Sequence, residues 1–165
     1  MMTIQRILVP TDFSQAADAA LIYAKELADR FGARLQLLHV IALPTFYPMG
    51  PDAAAAFPMA ELMTETETAA QNTLEEQARG TGLPADRVSV RTTVGTPVSE
   101  ILDAIPNDGI DLVVMGTHGR GMVEHVLLGS VAERVVRRSP VPVLTVHGLP
   151  GTNRPKAVTS IETAM

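Results

Sequence analysis

The chain has no cysteine, which removes disulfide frameworks, thiolate metal sites and cysteine nucleophiles from consideration. It also lacks an excess of positive charge: 13 Lys and Arg stand against 18 Asp and Glu, for a net charge of −5. That balance argues against electrostatic attachment to DNA, RNA or an anionic membrane, while leaving room for a small anion at a local site. No apolar stretch approaches the ~20 residues needed to cross a bilayer, and the N-terminus has no charged region followed by a long apolar run. The expectation is a soluble, cytoplasmic protein with neither a membrane nor a nucleic-acid partner. The histidines, His39, His118, His125 and His147, do not show metal-ligand spacing, so no all-protein metal site is expected.

What is present reads as a globular chain. With 165 residues, 46% of them hydrophobic and 19% charged, the sequence can bury most of its apolar surface in one domain. That domain is expected over residues 1–147, with an irregular loop at 41–58 and a flexible tail at 148–165.

The stretch on which the rest turns is Gly116-Thr-His-Gly-Arg-Gly-Met-Val-Glu-His-Val-Leu-Leu-Gly-Ser130. It follows the apolar run Asp111-Leu-Val-Val-Met115, which reads as a buried strand, and leads into a helical segment over 130–138. Gly116 and Gly119 lack a Cβ, which allows positive φ and lets a ligand approach the main chain. Ser130-x-x-Glu133 has the spacing of a capping box and so predicts the helix start. A helix start offers free N–H groups and the positive end of the macrodipole, which suits a phosphate. Ser130 adds a hydroxyl and Arg120 a nearby positive charge. The plainer reading is a tight strand-to-helix turn; four glycines within residues 116–129 beside a capped helix favour the phosphate. Three residues beyond Gly121 stands Glu124, and no Gly-Lys-Ser/Thr follows. Neither a dinucleotide fingerprint nor a P-loop is therefore supported.

Earlier in the chain, residues 4–10 read as a strand that delivers Pro10, Thr11 and Asp12 at its carboxyl end. Ser14 is placed to cap a helix whose stripe is Ala17, Ala20, Leu21, Ala24, Leu27, Ala28 and Phe31, and Gly32 stops it. Asp12 has two readings from the residue alone: a carboxylate for a ligand's hydroxyl or amine or for a metal held through water, or a cap for its own helix or turn. A second strand spans 34–40, where His39 reads as a satisfied strand-end histidine. Prolines and three of the six aromatics crowd residues 41–58, as in a lid, a docking surface or a variable loop. A helix over 59–79 is predicted to present Leu62, Thr66, Ala69, Thr73 and Leu74 along one side. Residues 88–94 alternate like an edge strand. Thr96 and Pro97 open a helix with Val98, Ile101, Leu102 and Ile105 inward, closed by Pro106-Asn-Asp-Gly109. A strand then begins at residue 110 or 111. In the last helix Val131, Ala132, Val135 and Val136 are predicted to pack. Residues 141–146 form the final strand, where Pro142 argues for an edge.

Strands alternating with helices call for an α/β fold, an open doubly wound five-stranded parallel sheet with helices on both faces and right-handed crossovers. The continuously apolar first and fourth strands belong in the centre, and the third and fifth at the edges, which the order 3-2-1-4-5 satisfies. This order puts a switch point between the first and fourth strands, so Asp12 and Gly116 meet at one crevice.

Gly116-x2-Gly119-x9-Gly129-Ser130, together with Ile7-Leu-Val-Pro-Thr-Asp-Phe-Ser14, Leu37-Leu-His-Val40 and Val141-Pro-Val-Leu-Thr-Val146, resembles the universal stress protein family in its ATP-binding branch. The resemblance covers nearly all of residues 3–147. It implies an adenine-nucleotide alpha hydrolase-like fold and ATP as ligand, with Mg²⁺ compatible with its phosphates. It implies that Asp12 and the backbone of Val40 hold the ribose and adenine end. Gly116, Gly119, Gly129 and Ser130 would cradle the phosphates beside Arg120, with Pro10, Thr11, Met115 and Val131 lining the pocket. It further implies a homodimer through the strand at Val141–Val146 and a nucleotide-dependent regulator or sensor in stress response. Two alternatives stay open. One is a slow ATPase or adenylyl-transfer enzyme using His118 and Arg120, for which no base positioned on water is evident. The other is a dimeric interaction module without nucleotide.

Overall fold

The computed structural model describes residues 3–42, 59–117 and 128–147. Five strands, β1 (Arg6–Pro10), β2 (Arg34–Ile41), β3 (Val88–Val94), β4 (Leu112–Gly116) and β5 (Val143–Val146), form one parallel sheet in the expected order β3-β2-β1-β4-β5. Ile7, Leu8 and Val9 of β1 are fully buried, as are Val113 and Val114 of β4. Both strands need apolar residues on both faces because helices cover the sheet on each side. The β5 ladder is shorter than the 141–146 expected. Pro142 has no N–H to give, yet its carbonyl accepts from Val113 N at 3.0 Å.

Helices α1 (Gln15–Phe31) and α2 (Met59–Gly80) pack on one face; α3 (Pro97–Asp108) and α4 (Ser130–Arg138) pack on the other. The first core joins Ile7, Val9, Leu35, Leu37 and Val114 to the α1 alanines and Leu74. The second joins Leu8, Leu38, Val113 and Met115 to Ile101, Ile105, Ala132 and Val135. Each large side chain fully buried in these layers contributes about 1.5–3 kcal/mol.

Several local expectations hold and others are corrected. Ser14 caps α1, its Oγ accepting from Ala17 N at 3.3 Å, and Gly32 ends it at φ 67°. The buried stripe of α1 is Ala16, Ala17, Ala20, Ala24 and Ala28; Phe31 is 56% exposed because it lies one turn past the sheet-facing alanines. On α2 Leu74 is buried as expected and Ala70 joins it, while Leu62, Thr66, Ala69 and Thr73 are exposed, so most of the predicted face is rotated off the sheet. The α3 helix continues through Pro106 to Asp108 and ends at Gly109, φ 64°. Proline in a last turn forfeits one hydrogen bond without stopping the helix. Asp108 fastens this end to the sheet: its Oδ2 accepts from Gln36 Nε2 at 2.7 Å and Arg91 Nη1 at 3.1 Å, and its carbonyl accepts from Arg6 Nη1 at 2.6 Å. On α4, Val135 is buried but Val136 is 46% exposed, since the nine-residue helix turns only one narrow face inward.

Candidate functional site

The sheet opens at its centre. β1 pairs with β2 from Arg6↔Arg34 through Pro10↔Leu38, but its pairing with β4 is confined to Ile7↔Leu112 and Leu8↔Val113. Beyond Leu8 the two strands diverge toward their carboxyl ends. A crevice of about 620 Å³ occupies the gap, within the ~300–1,000 Å³ usual for small-molecule sites.

One wall is the turn after β1. Thr11 N donates to Leu38 O at 2.9 Å, the last link between β1 and β2. Thr11 Oγ1 accepts from Phe13 N at 3.0 Å, and Asp12 Oδ1 accepts from Ser14 N at 3.1 Å. These two bonds turn the chain sharply and deliver Ser14 to the start of α1. Phe13 sits at φ 61°, a left-handed conformation that costs an L-residue roughly 1–2 kcal/mol. Its ring stacks on His39 with centroids 4.4 Å apart and planes at 27°. His39 Nδ1 lies 2.8 Å from Thr11 O, so this histidine is satisfied, as expected. The turn reading of Asp12 holds, since Oδ1 accepts from Ser14 N, and the residue also lines the crevice.

The second wall is β2 beyond the end of β1. Backbone groups of successive strand residues point to opposite edges. Leu38 O faces β1, and Ile41 O faces the β3 side, where it accepts from Gly95 N at 3.0 Å. Val40 therefore directs its N–H and C=O toward the edge that β1 has vacated. A donor and an acceptor side by side on one strand edge can read the edge of a planar heterocycle.

The third wall is the start of α4. Gly129, at φ −70° and ψ 158°, is the N-cap, with no side-chain cap bond. The capping box is thus corrected: Ser130 is the first helical residue, one position too late for its hydroxyl to cap. Gly129 N donates to Thr117 O at 2.6 Å and Gly129 O accepts from Glu133 N at 2.9 Å. The N–H groups of Ser130, Val131 and Ala132 belong to the first turn, which has no intrahelical acceptor for them, and all three residues line the crevice.

Gly116 lines the crevice and also meets a packing need that its sequence context does not suggest. Its φ is not positive. A Cβ there would stand 2.7 Å from the Ala16 carbonyl carbon and 2.9 Å from Ala17 N. The missing side chain admits the first turn of α1 against β4, and so sets where Ser14 and Asp12 lie.

A sequence profile described as the Universal stress protein family matches residues 3–147. The chain belongs to the universal stress protein family. A universal stress protein of Methanocaldococcus jannaschii is 32% identical over 142 residues, covering 86% of this chain and 81% of that protein. The solved structure of a universal stress protein from Lactobacillus plantarum aligns at TM-score 0.74 and 28% identity, covering 87% of this chain and 97% of that one. A universal stress protein solved in complex with cAMP aligns at TM-score 0.58 and 26% identity, covering 89% and 99%.

In this universal stress protein, Pro10, Thr11, Asp12, Val40, Met115, Gly116, Gly129, Ser130 and Val131 all line the one crevice, although they come from widely separated segments. Gly119 and Arg120 lie outside the described residues, as do His118, residues 43–58 and the tail at 148–165. Sequence reasoning missed Phe13 and Thr117. No residue pattern announces an aromatic at positive φ. Thr117 is 2% exposed, its N donating to Val146 O at 2.9 Å and its Oγ1 lying 3.0 Å from His147 Nδ1. It joins β4, β5 and the α4 cap.

Proposed function

We propose that this universal stress protein binds ATP in the crevice between β1 and β4 and acts as a nucleotide-dependent regulator or sensor. The observation that carries the reading is convergence. Three chemically distinct walls meet where the two central strands part: the Asp12 carboxylate, the backbone edge of Val40, and the N-terminus of α4. They match the three parts of an adenine nucleotide. The Val40 N–H and C=O suit the acceptor and amine of adenine, Asp12 suits the ribose hydroxyls, and Gly129 to Val131 suit the phosphates. The relative solved with cAMP, itself an adenine nucleotide, supports the same class of ligand. The Gly116-x2-Gly119-x9-Gly129-Ser130 spacing and Arg120 favour more than one phosphate.

Among the described residues no group of three or more His, Cys, Asp or Glu side chains could hold a metal ion. Mg²⁺ would accompany the phosphates rather than occupy an all-protein site. Likewise among the described residues, no helix is long and apolar enough to cross a membrane. A cytoplasmic setting is part of the same proposal, and so is a homodimer through β5, which among the described residues is an edge strand of the sheet.

Calorimetric titration with ATP and Mg²⁺ tests the reading, with Gly129→Val beside the parent. The φ −70° and ψ 158° of Gly129 are open to any residue, and valine places bulk against the phosphates, but it is a weaker N-cap than glycine, so circular dichroism first establishes that the variant keeps its fold. The expected result is saturable binding by the parent and at least tenfold weaker binding by the folded variant. No binding by the parent, or equal binding by both, rejects the assignment.

A further inference from the structure

We infer that His39 is a positioning residue of the nucleotide site: through Nδ1 it holds the turn that presents Asp12, and so decides whether the ribose hydroxyls are recognised. The inference rests on the nucleotide reading above and adds to it a residue that the reading itself does not require.

Its tautomer follows from its partner. A backbone carbonyl can only accept, so the 2.8 Å contact with Thr11 O requires the proton of neutral His39 to sit on Nδ1. The same ring supports the other flank of Asp12 by stacking on Phe13. One imidazole thus touches the residue before Asp12 and the residue after it. Phe13 is the one described non-glycine residue with positive φ, and such a conformation persists only where its surroundings over-determine it. The stack supplies that surrounding, together with the Phe13 N bond to Thr11 Oγ1.

His39 lines the crevice beside Val40, and its ring reaches the turn from the other face of the strand. It follows Leu37 at a spacing of two, on the α1 face of β2, whereas Leu38 and Val40 lie on the α3 and α4 face. Val40, the seat proposed for the base, is the next residue along the strand. The base subsite and the ribose subsite are therefore tied through one side chain, although Asp12 and Val40 are 28 positions apart in the chain.

The test compares ATP with 2′,3′-dideoxy-ATP on the full chain carrying His39, His39→Asn, His39→Gln or His39→Ala. Asparagine places an N–H near the position of Nδ1; glutamine places it near Nε2. The parent should prefer ATP roughly tenfold, the ratio expected of a hydrogen bond to a charged acceptor. In His39→Ala and His39→Gln that ratio should fall to within about twofold of one, through weaker ATP binding at nearly constant dideoxy-ATP affinity. His39→Asn should restore most of it. An unchanged ratio in His39→Gln, no rescue by asparagine, or a parallel loss for both ligands overturns the inference while leaving ATP binding by the parent intact. If the parent binds neither nucleotide, the functional reading itself falls. A nitrogen-15 spectrum of the ligand-free parent at alkaline pH checks the contact independently: a proton on Nδ1 is expected, and one on Nε2 overturns it. Should the alanine variant fail to fold, the asparagine and glutamine pair decides.

Discussion

Adding one methyl group at Gly116 should damage both the fold and the site. In Gly116→Ala the new Cβ would lie 2.7 Å from the Ala16 carbonyl carbon, 2.8 Å from Ala16 Cβ and 2.9 Å from Ala17 N. Comfortable contact between such atoms is about 3.5–4.0 Å, so β4 and the first turn of α1 must separate by roughly 0.8–1.3 Å. The obstacles are main-chain atoms on one side and a central strand on the other, and neither can rotate away. Overpacking of this kind costs about 1–3 kcal/mol. Loss of glycine's freedom in the unfolded chain offsets about 0.4–1 kcal/mol where φ is compatible. The net expectation is a destabilisation of about 1–2 kcal/mol, or a fall in Tm of about 2–8 °C for a chain of this size. Urea unfolding read by circular dichroism gives the free energy, with an unchanged m-value as the sign that the native state keeps its compactness. Gly95→Ala is the control. Its Cβ would meet Glu100 Oε1 at 2.6 Å, the end of a flexible side chain, and the loss is limited to the Thr93–Glu100 hydrogen bond, 3.0 Å in the parent. That costs about 0.5–1.5 kcal/mol. Because α1 carries Ser14 outward with it, Gly116→Ala should also weaken ATP binding, whereas Gly95→Ala should not. A Gly116→Ala protein as stable as the parent, or less affected than Gly95→Ala, would refute the close-packing account.

Two further outcomes are expected. Ser14→Ala removes the Oγ that accepts from Ala17 N and should cost about 1 kcal/mol by chemical unfolding. Val135→Ala, at a fully buried position, should cost about 1–3 kcal/mol, while Val136→Ser, at a residue 46% exposed, should stay within about 0.5 kcal/mol; equal losses at the two positions would contradict the one-sided packing of α4.

The difference between Val135 and Val136 shows where sequence reading stopped. Both are apolar, and helical spacing admits either to a packed stripe. Only the docking angle of a short helix puts one of them inside. The same holds for α2, where Leu62, Thr66, Ala69, Thr73 and Leu74 all satisfied the period, yet of these only Leu74 is buried, with Ala70 beside it. Periodicity specifies that a face exists, and its azimuth depends on where the helix lands. The α1 cap was legible from Ser14, and the α4 range 130–138 was legible too, but its cap lies one residue earlier because Gly129, held by Thr117 O, takes the N-cap position.

Strand order was legible because it follows from local composition. Strands apolar on both faces must lie in the centre, and alternating or proline-bearing strands can tolerate an edge. The crevice followed from that order, along with most of its lining residues. Tertiary structure alone decided how the lining is held. Gly116 appears in the sequence as a ligand-approach glycine, and the fold adds a close contact with α1 that the sequence did not announce. Phe13 at positive φ and the His39 contact with Thr11 O arise from segments that meet only after folding. Short-range propensity is encoded within a few residues, so the chain by itself determined its elements, their order and the end of the sheet that opens. Orientation within that opening depends on contacts between residues far apart in the chain, and their geometry exists only once β1, β2 and α1 have packed.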